Sequence, residues 1–340
     1  MYLKLIEETP KEIFSYYEKP FYVYLSLSNI CNANCVFCDV RTNKEKKCNI
    51  DIFKLIDELS ALGTKYIHFT GGGEPFINND ILQYMDYCTK KGLNIIFISN
   101  GYNLNEDKIK QLSSYNVKAV FFSIDSYKAD VHDSLRRLPG LWERVTNNIN
   151  IIKEYIPDIK IAINHVLNRE NIDDFEKFIK LKDKFNFDFI NPIVIKDCDE
   201  LFFSEEQIIN YNKNLSYYYE LAHKLGVEFL CDNIDFFKND ISSLGDRSSN
   251  NDLRCVYPSF CTFIDAPTGF VYPCDCSIHR DRNIYKIGEL KEQSMDEVWN
   301  GEKRKVLKRK LLNSELNCKT KCDEANCQFN YCYFKHKRCR

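Results

Sequence analysis

The chain has 340 residues, enough for one large domain with a smaller companion. Lys and Arg number 47 against 49 Asp and Glu, and the net charge of −2 excludes a broad electrostatic attraction to nucleic acid or an anionic membrane. The opening Met-Tyr-Leu-Lys-Leu-Ile-Glu-Glu does not read as a signal peptide, and no apolar run reaches the ~20 residues of a membrane span, so a cytoplasmic protein is expected.

Residues 1–20 form a polar lead. From Phe21 onward, short apolar, β-branched or aromatic runs occur at 21–27, 65–69, 94–98, 119–124, 159–166 and 187–193. Helical patterns separate them at 50–62, 81–91, 108–114, 141–155 and 172–185. Short strands alternating with helices imply right-handed βαβ units and a parallel sheet. Six such units are fewer than a closed barrel needs, so residues 21–203 are expected to form a partial (β/α)6 barrel, with a doubly wound sheet as the alternative. Ser204-Glu205-Glu206-Gln207 reads as a capping box that opens a helix to about Lys224. Residues 204–254 are that helix and a linker, whose most charged, Asn- and Ser-rich part is 238–252. A cysteine-rich tail fills 255–340.

The sixteen cysteines are unevenly spread. Three lie at Cys31, Cys35 and Cys38, and nine fall between Cys255 and Cys339. Only Cys48, Cys88, Cys198 and Cys231 are scattered between. In a reducing compartment such clusters suit metal ligation or redox chemistry better than structural disulfides. The spacing C-x3-C-x2-C directly after the first strand allows three thiolates to hold three irons of a [4Fe–4S] cube and leave the fourth open, which makes a catalyst of it. A fragment of a zinc site has similar spacing, and on the triplet alone both readings stand.

The other polar features follow the strands as well. Thr70-Gly71-Gly72-Gly73-Glu74-Pro75 comes after the second, Ser99-Asn100-Gly101 after the third and Asp125-Ser126 after the fourth. Asn164 and His165 close the fifth, and 196–198 come shortly after the sixth. These are carboxyl ends, where barrels of this kind carry their active sites.

The cysteine triplet with Phe37 before its last member, together with Gly72-Gly73-Glu74-Pro75 in the next βα loop, resembles the radical S-adenosylmethionine (SAM) superfamily over roughly residues 21–200. The resemblance implies a [4Fe–4S] cluster on Cys31, Cys35 and Cys38. Its open iron would chelate the amino and carboxylate groups of SAM, and one electron would cleave the sulfonium to a 5′-deoxyadenosyl radical that abstracts hydrogen from a C–H bond. Phe37, Gly72, Gly73, Glu74 and Pro75 would line the SAM site; Gly71 is an extra glycine. His132-Asp133-Ser134-Leu135-Arg136 resembles the H-D-x-x-R stretch of a subset of the superfamily, in which Arg136 would meet the SAM carboxylate. Ser99, Ser123 and Asn164 fall where ribose or methionine contacts are expected, and strand-end capping is the plain alternative for each.

The tail looks like a SPASM extension, a domain for auxiliary iron–sulfur clusters. Cys255-x13-Gly269-x4-Cys274 and Ile287-Gly288-Glu289-Leu290 with Trp299 agree with the pattern. The second half departs from it, with gaps of three, four and four between Cys318, Cys322, Cys327 and Cys332. By analogy, Cys255, Cys261, Cys274 and Cys332 would hold one auxiliary cluster and Cys318, Cys322, Cys327 and Cys339 another, with one or two clusters in all. A zinc ribbon is the alternative. Trp299 and the basic helix 302–312 read as a packed anchor and a solvated face.

The function these features imply is that of a radical SAM oxidoreductase that dehydrogenates or crosslinks its substrate, fed by an electron donor such as flavodoxin or ferredoxin. With only about twenty residues before the first strand, a small metabolite such as a sugar or aminoglycoside is favoured slightly over a peptide. A redox-neutral epimerase is the alternative. It would need a thiol to return a hydrogen atom, and Cys198 is best placed, with Cys231 and Cys276 behind it. A non-catalytic iron–sulfur or zinc module is the reading outside enzymology, and it leaves the glycine loop unexplained.

Overall fold

The first strand, β1 (Tyr22–Ser26), is buried at all five positions, which explains why it reads as an unbroken apolar run rather than an alternating one. The computed structural model describes residues 8–38, 47–195, 198–230, 255–278 and 281–316. Cys231, the 238–252 linker, Lys196, Cys318, Cys322, Cys327, Cys332 and Cys339 lie outside them, as does the Cys276 side chain.

Five more strands follow where the apolar runs predict them: β2 (Tyr66–Thr70), β3 (Asn94–Ser99), β4 (Val117–Ser123), β5 (Lys160–Leu167) and β6 (Phe189–Val194). Helices Ile52–Ala61, Ile81–Lys90, Glu106–Leu112 and Leu141–Tyr155 separate them, so the protein is α/β with mostly parallel strands. A short β7 (Glu228–Phe229) comes after the helix Glu205–Lys224, which opens on the expected capping box of Ser204 and Gln207. The tail adds β8 (Cys261–Asp265), β9 (Phe270–Tyr272) and β10 (Gly288–Glu289).

The packing groups residues into two compact units. One comprises 1–29, 45–96 and 245–340; the other comprises 30–44 and 97–244. In the first, the strand order is β10-β9-β8-β1-β2, with β8 parallel to β1 and Tyr22 opposite Cys261. The beginning of the tail therefore extends the sheet on which β1 lies. In the second, β4, β5, β6 and β7 run parallel in that order.

Two elements differ from expectation. The helical pattern at 172–185 forms a 3-10 turn (Ile172–Asp174), a short α-helix (Phe175–Ile179) and another 3-10 turn (Lys180–Asp183). Its buried residues are Ile172, Phe175, Phe178, Ile179 and Leu181; Phe175, Phe178 and Ile179 keep the i, i+3, i+4 spacing of one α-helical stretch, and the flanking turns tighten to 3-10 geometry. The helix Ala129–Arg136, unexpected from the sequence, buries His132, Leu135 and Arg136, so its inward face is mostly polar and carries little apolar periodicity.

In the first unit, a Cβ on Gly288 would fall within 2.6 Å of Val298 Cγ1, so only glycine lets the helix Met295–Trp299 lie against β10. The next helix, Glu302–Leu312, exposes Lys303, Lys305, Arg309 and Lys310 on the solvated basic face the sequence implies, and Arg304 departs from it. Arg304 is 1% exposed and stacks on the Trp299 ring. It donates to the carbonyls of Trp299 and Pro258 and to Glu18 Oε2, and Lys308 also reaches Glu18. No helix among the described residues is long and apolar enough to cross a membrane.

Candidate active site

The cysteine loop is tied to the second unit by backbone and side chains. The N–H groups of Asn34 and Val36 donate to the carbonyls of Arg136 and Leu135, which satisfies acceptors that a helix end leaves open. Asn100, just past β3, donates through Nδ2 to Asn32 Oδ1 at 2.8 Å and lies 4.0 Å from Cys31 Sγ, while the Ala33 N–H points at the same sulfur from 3.4 Å. Cys31 is exposed, Cys38 half-buried and Cys35 buried, and none of the three is in a disulfide. Burial pushes the Cys35 thiol up, with the Arg136 guanidinium pulling the other way.

Arg136 is the centre of the arrangement. Its Nε donates to Asp125 Oδ2 at 2.8 Å, its Nη1 stands 3.9 Å from Cys35 Sγ, and its guanidinium faces the Phe37 ring at 5.7 Å. Asp125 is fully buried at the end of β4. It receives the Val166 N–H on Oδ1 and the Asn171 Nδ2–H on its carbonyl, and gives its own N–H to His132 Nδ1. Burial alone would raise the Asp125 carboxyl; the charge of Arg136 holds it below the usual carboxylate range. Asp133 accepts from the N–H groups of Gly140 and Trp142 and so caps the following helix. Of the H-D-x-x-R stretch, His132 and Arg136 thus hold Asp125 past the end of β4, and Asp133 caps the helix that follows.

The other sequence-expected residues of this unit divide. Ser123 is opposite Asn164, and Asn164 opposite Asn191, in the registers of β4–β5 and β5–β6. The three form one buried polar row at the carboxyl ends, closed by a 2.8 Å bond from Asn191 Nδ2 to Asn164 Oδ1. Asn191 was not anticipated, although a lone Asn before Pro192 in an apolar run, level with Asn164, is the signal that could have found it. Ser99 uses its hydroxyl to receive the Gly101 N–H at 2.9 Å, a turn role. Cys198, half-buried, lines a cavity of about 730 Å³ with Val36, Leu135, Arg137, Glu170 and Glu200.

In the first unit, Gly72 lies over the end of β1. A Cβ there would stand 2.7 Å from Ser26 Oγ, so the backbone approaches as only glycine allows. Ser26 is itself level with Thr70 on one side and Asp265 on the other. Glu74, 3% exposed, turns its carboxylate back onto the Phe76 N–H and starts the 3-10 turn Pro75–Ile77. Of the tail cysteines, Cys255 and Cys261 are buried and Cys274 is half-buried, with the Cys255 N–H bonded to the Leu311 carbonyl at 3.0 Å.

Among the described residues no three His, Cys, Asp or Glu side chains converge as ligands of a single ion would. Thiolates of an iron–sulfur cube bind separate irons and need no such convergence. A loop of three thiols outside disulfides, with N–H donors already directed at Cys31 and Cys35, has the donor chemistry of a cluster site, while the space beside Gly72 is filled by Ser26 and Ser28.

Comparison with known proteins agrees. Residues 25–181 match the radical SAM superfamily and 255–328 the SPASM iron–sulfur cluster-binding domain, about two thirds of the chain together. The AdoMet-dependent heme synthase of Methanosarcina barkeri is 28% identical over 162 residues, 44% of this chain and 44% of that protein. The cysteine-type anaerobic sulfatase-maturating enzyme of Clostridium novyi is 25% identical over 324 residues, 88% and 83%. Solved structures of Streptococcus suis SuiB share the fold at 13% identity. With S-adenosylmethionine bound, the TM-score is 0.63 and the match covers 84% of this chain and 66% of that one. With precursor peptide SuiA bound, the values are 0.62, 84% and 65%. The chain spans about half the length of the heme synthase it matches. It belongs to the radical SAM superfamily and carries a SPASM domain.

Proposed function

We propose that the chain is a radical SAM oxidoreductase that breaks a C–H bond in a side chain of a peptide or protein and releases an oxidised product. The observation that carries this reading is the cavity of about 730 Å³, which borrows Val36 from the cysteine loop and Leu135 from the helix behind it. A substrate held there lies beside the loop that would initiate the radical. The family's cofactors are a [4Fe–4S] cluster with S-adenosylmethionine and auxiliary clusters in the SPASM domain. When bound, they supply the electron that cleaves the sulfonium and an acceptor for the electron left after hydrogen abstraction.

Cys31, Cys35 and Cys38 would hold the first cluster. Gly72 and Gly73 would let the backbone meet the SAM amino group, and Ser123 and Asn164 would present hydroxyl and amide groups to the rest of it. Cys255, Cys261 and Cys274 are the described candidates for auxiliary ligands. Flavodoxin or ferredoxin would deliver the electron.

The preference for a peptide over a small metabolite rests on the relatives. The sulfatase-maturating enzyme matches across both domains, and SuiB has been seen with its precursor peptide. The first test is anaerobic reconstitution with SAM and a reductant. Formation of 5′-deoxyadenosine is expected. Its absence from fully loaded protein would sink the enzymatic reading in favour of a binding module. Gly72→Ala, which drives a methyl group toward Ser26 Oγ, is expected to lower the yield at least tenfold at equal iron content.

A second reading has its own observation, the presence of Cys198 in the cavity wall. A thiol there could return a hydrogen atom to the substrate radical and make the reaction a redox-neutral epimerisation. Under this reading Cys198→Ala still forms 5′-deoxyadenosine but yields no epimer. Unchanged product would remove Cys198 from the mechanism.

A further inference from the structure

We infer that Arg136 sets the reduction potential of the cluster on the cysteine loop, by placing a fixed positive charge and an N–H donor against the sulfur of Cys35. The inference rests on the proposal above that Cys35 is a cluster ligand.

The guanidinium has little freedom. The residue is 8% exposed, its Nε is bonded to Asp125 Oδ2 at 2.8 Å, and its Cζ lies over the Phe37 ring at 5.7 Å. Asp125 is in turn held through both carboxylate oxygens, its N–H and its carbonyl, by Arg136, Val166, His132 and Asn171. The remaining geometry directs Nη1 at Cys35 Sγ from 3.9 Å, within reach for a donor to sulfur. The contact joins residues 101 positions apart, so it belongs to the fold and not to local chain geometry.

Hydrogen bonds to the sulfurs and nearby charge are the levers by which a protein moves the potential of an iron–sulfur cluster. Reduction adds one electron, taken from the reductant, and makes no bond. The reduced cluster is more negative by one charge, so a cation fixed beside a ligand sulfur favours it, and more strongly where burial lowers the local dielectric. Asp125 tempers this charge and keeps the guanidinium in place. Arg136 is thereby a positioning and tuning residue rather than a catalytic one in this role. A contact with the SAM carboxylate, the role implied by the H-D-x-x-R resemblance, is a separate matter, because the potential can be measured without SAM.

The experiment uses the full chain, anaerobically reconstituted. The midpoint potential is followed by EPR without SAM, on the signal that a parallel sample shows to change when SAM is added. Arg136→Gln is expected to lower the equilibrium constant for reduction at least tenfold, about 59 mV for one electron. Arg136→Lys keeps the charge but not the planar fork, and its fall should be clearly smaller. Asp125→Asn leaves the cation without its counter-charge, and the constant should rise.

An unshifted potential in iron-replete Arg136→Gln overturns the inference, as do equal shifts in the Gln and Lys variants, which would make the effect one of packing. Should Arg136→Gln fail to hold iron, Asp125→Asn decides: a rise supports the inference, and no change or a fall overturns it. A parent protein with no SAM-responsive signal would instead refute the assignment of Cys35 as ligand, so the two failures are told apart.

Discussion

Among the described residues each compact unit buries an arginine beside a carboxylate, the first unit at the amino-terminal ends of its own strands and the second at the carboxyl ends of its own. In the first unit, Arg304 meets Glu18, four residues before β1, and the carbonyl of Pro258, three before β8. In the second, Arg136 meets Asp125, two residues past β4, and Asp125 receives the N–H of Val166 near the end of β5. In parallel α/β architectures the amino-terminal ends serve stability and the carboxyl ends serve chemistry. The same pair of side chains therefore has two purposes here. Arg304 is a bolt between the tail helix and the approach to β1, whereas Arg136 is directed at a thiol.

The largest effect that would break this comparison is loss of SAM cleavage. Cys35→Ala is expected to abolish formation of 5′-deoxyadenosine while iron in the tail remains. Arg304→Met should leave cleavage near the parent rate. Cleavage surviving in the first variant would sink the reading of the cysteine loop, and its loss in the second, at full stability and iron content, would undo the distinction between the strand ends.

Next in size is the stability carried by Asp125. Removing one partner of a buried ion pair leaves the other charged and unpaired, and Asp125→Asn should cost about 3–5 kcal/mol in urea unfolding at neutral pH. The pH dependence has a definite sign. The folded-state pKa of Asp125 is depressed below its ordinary 3.8, so the native state holds its proton less tightly than the unfolded one. Its stabilisation is complete above the unfolded value and is lost as pH falls through the folded one. The variant should accordingly show a shallower loss of stability below about pH 4, and a parallel profile would argue against a charged pair.

Much of this was legible in the sequence. Tyr22–Ser26 and the five later strands declare themselves because buried parallel strands are continuous apolar runs, and Leu141–Tyr155 because its buried residues recur at helical spacing. The cysteine and glycine loops could be placed at carboxyl ends for the same reason. Other features were hidden by physics rather than by chance. Parallel pairing of Tyr22 with Cys261 joins residues far apart in the chain, and no local pattern encodes it. The helix Ala129–Arg136 turns His132 and Arg136 inward, so its pattern resembles a surface segment. Asp125 was visible as a polar residue after a strand, but its role depends on partners at 132, 136, 166 and 171 that only the fold assembles.

Two smaller effects sharpen the contrast. Arg304→Met keeps the bulk against Trp299 but strands the carbonyls of Trp299 and Pro258. Glu18 is more than one third exposed and retains Lys308, so no isolated buried charge results. The cost should be about 1–3 kcal/mol, below that of Asp125→Asn, with the cluster potential unmoved.

The last effect concerns His165, which donates from Nδ1 to the Ile124 carbonyl and stacks on Phe178 at 3.7 Å. Burial drives its pKa from 6.5 to about 4, since the charged ring would have to leave water. Here the unfolded chain takes up the proton first. Stability is greatest above the unfolded value and declines as pH falls from 6.5 toward about 4, by at most about 1.4 kcal/mol per pH unit for one such group. Near neutrality the decline is a fraction of that. His165→Gln retains an amide donor for Ile124 and has no ring to protonate, so its urea midpoint should change less across this window than that of the parent. Equal slopes would mean that His165 titrates normally, and the β5 end of the second unit would then be more accessible to water than its packing against Phe175 and Phe178 allows.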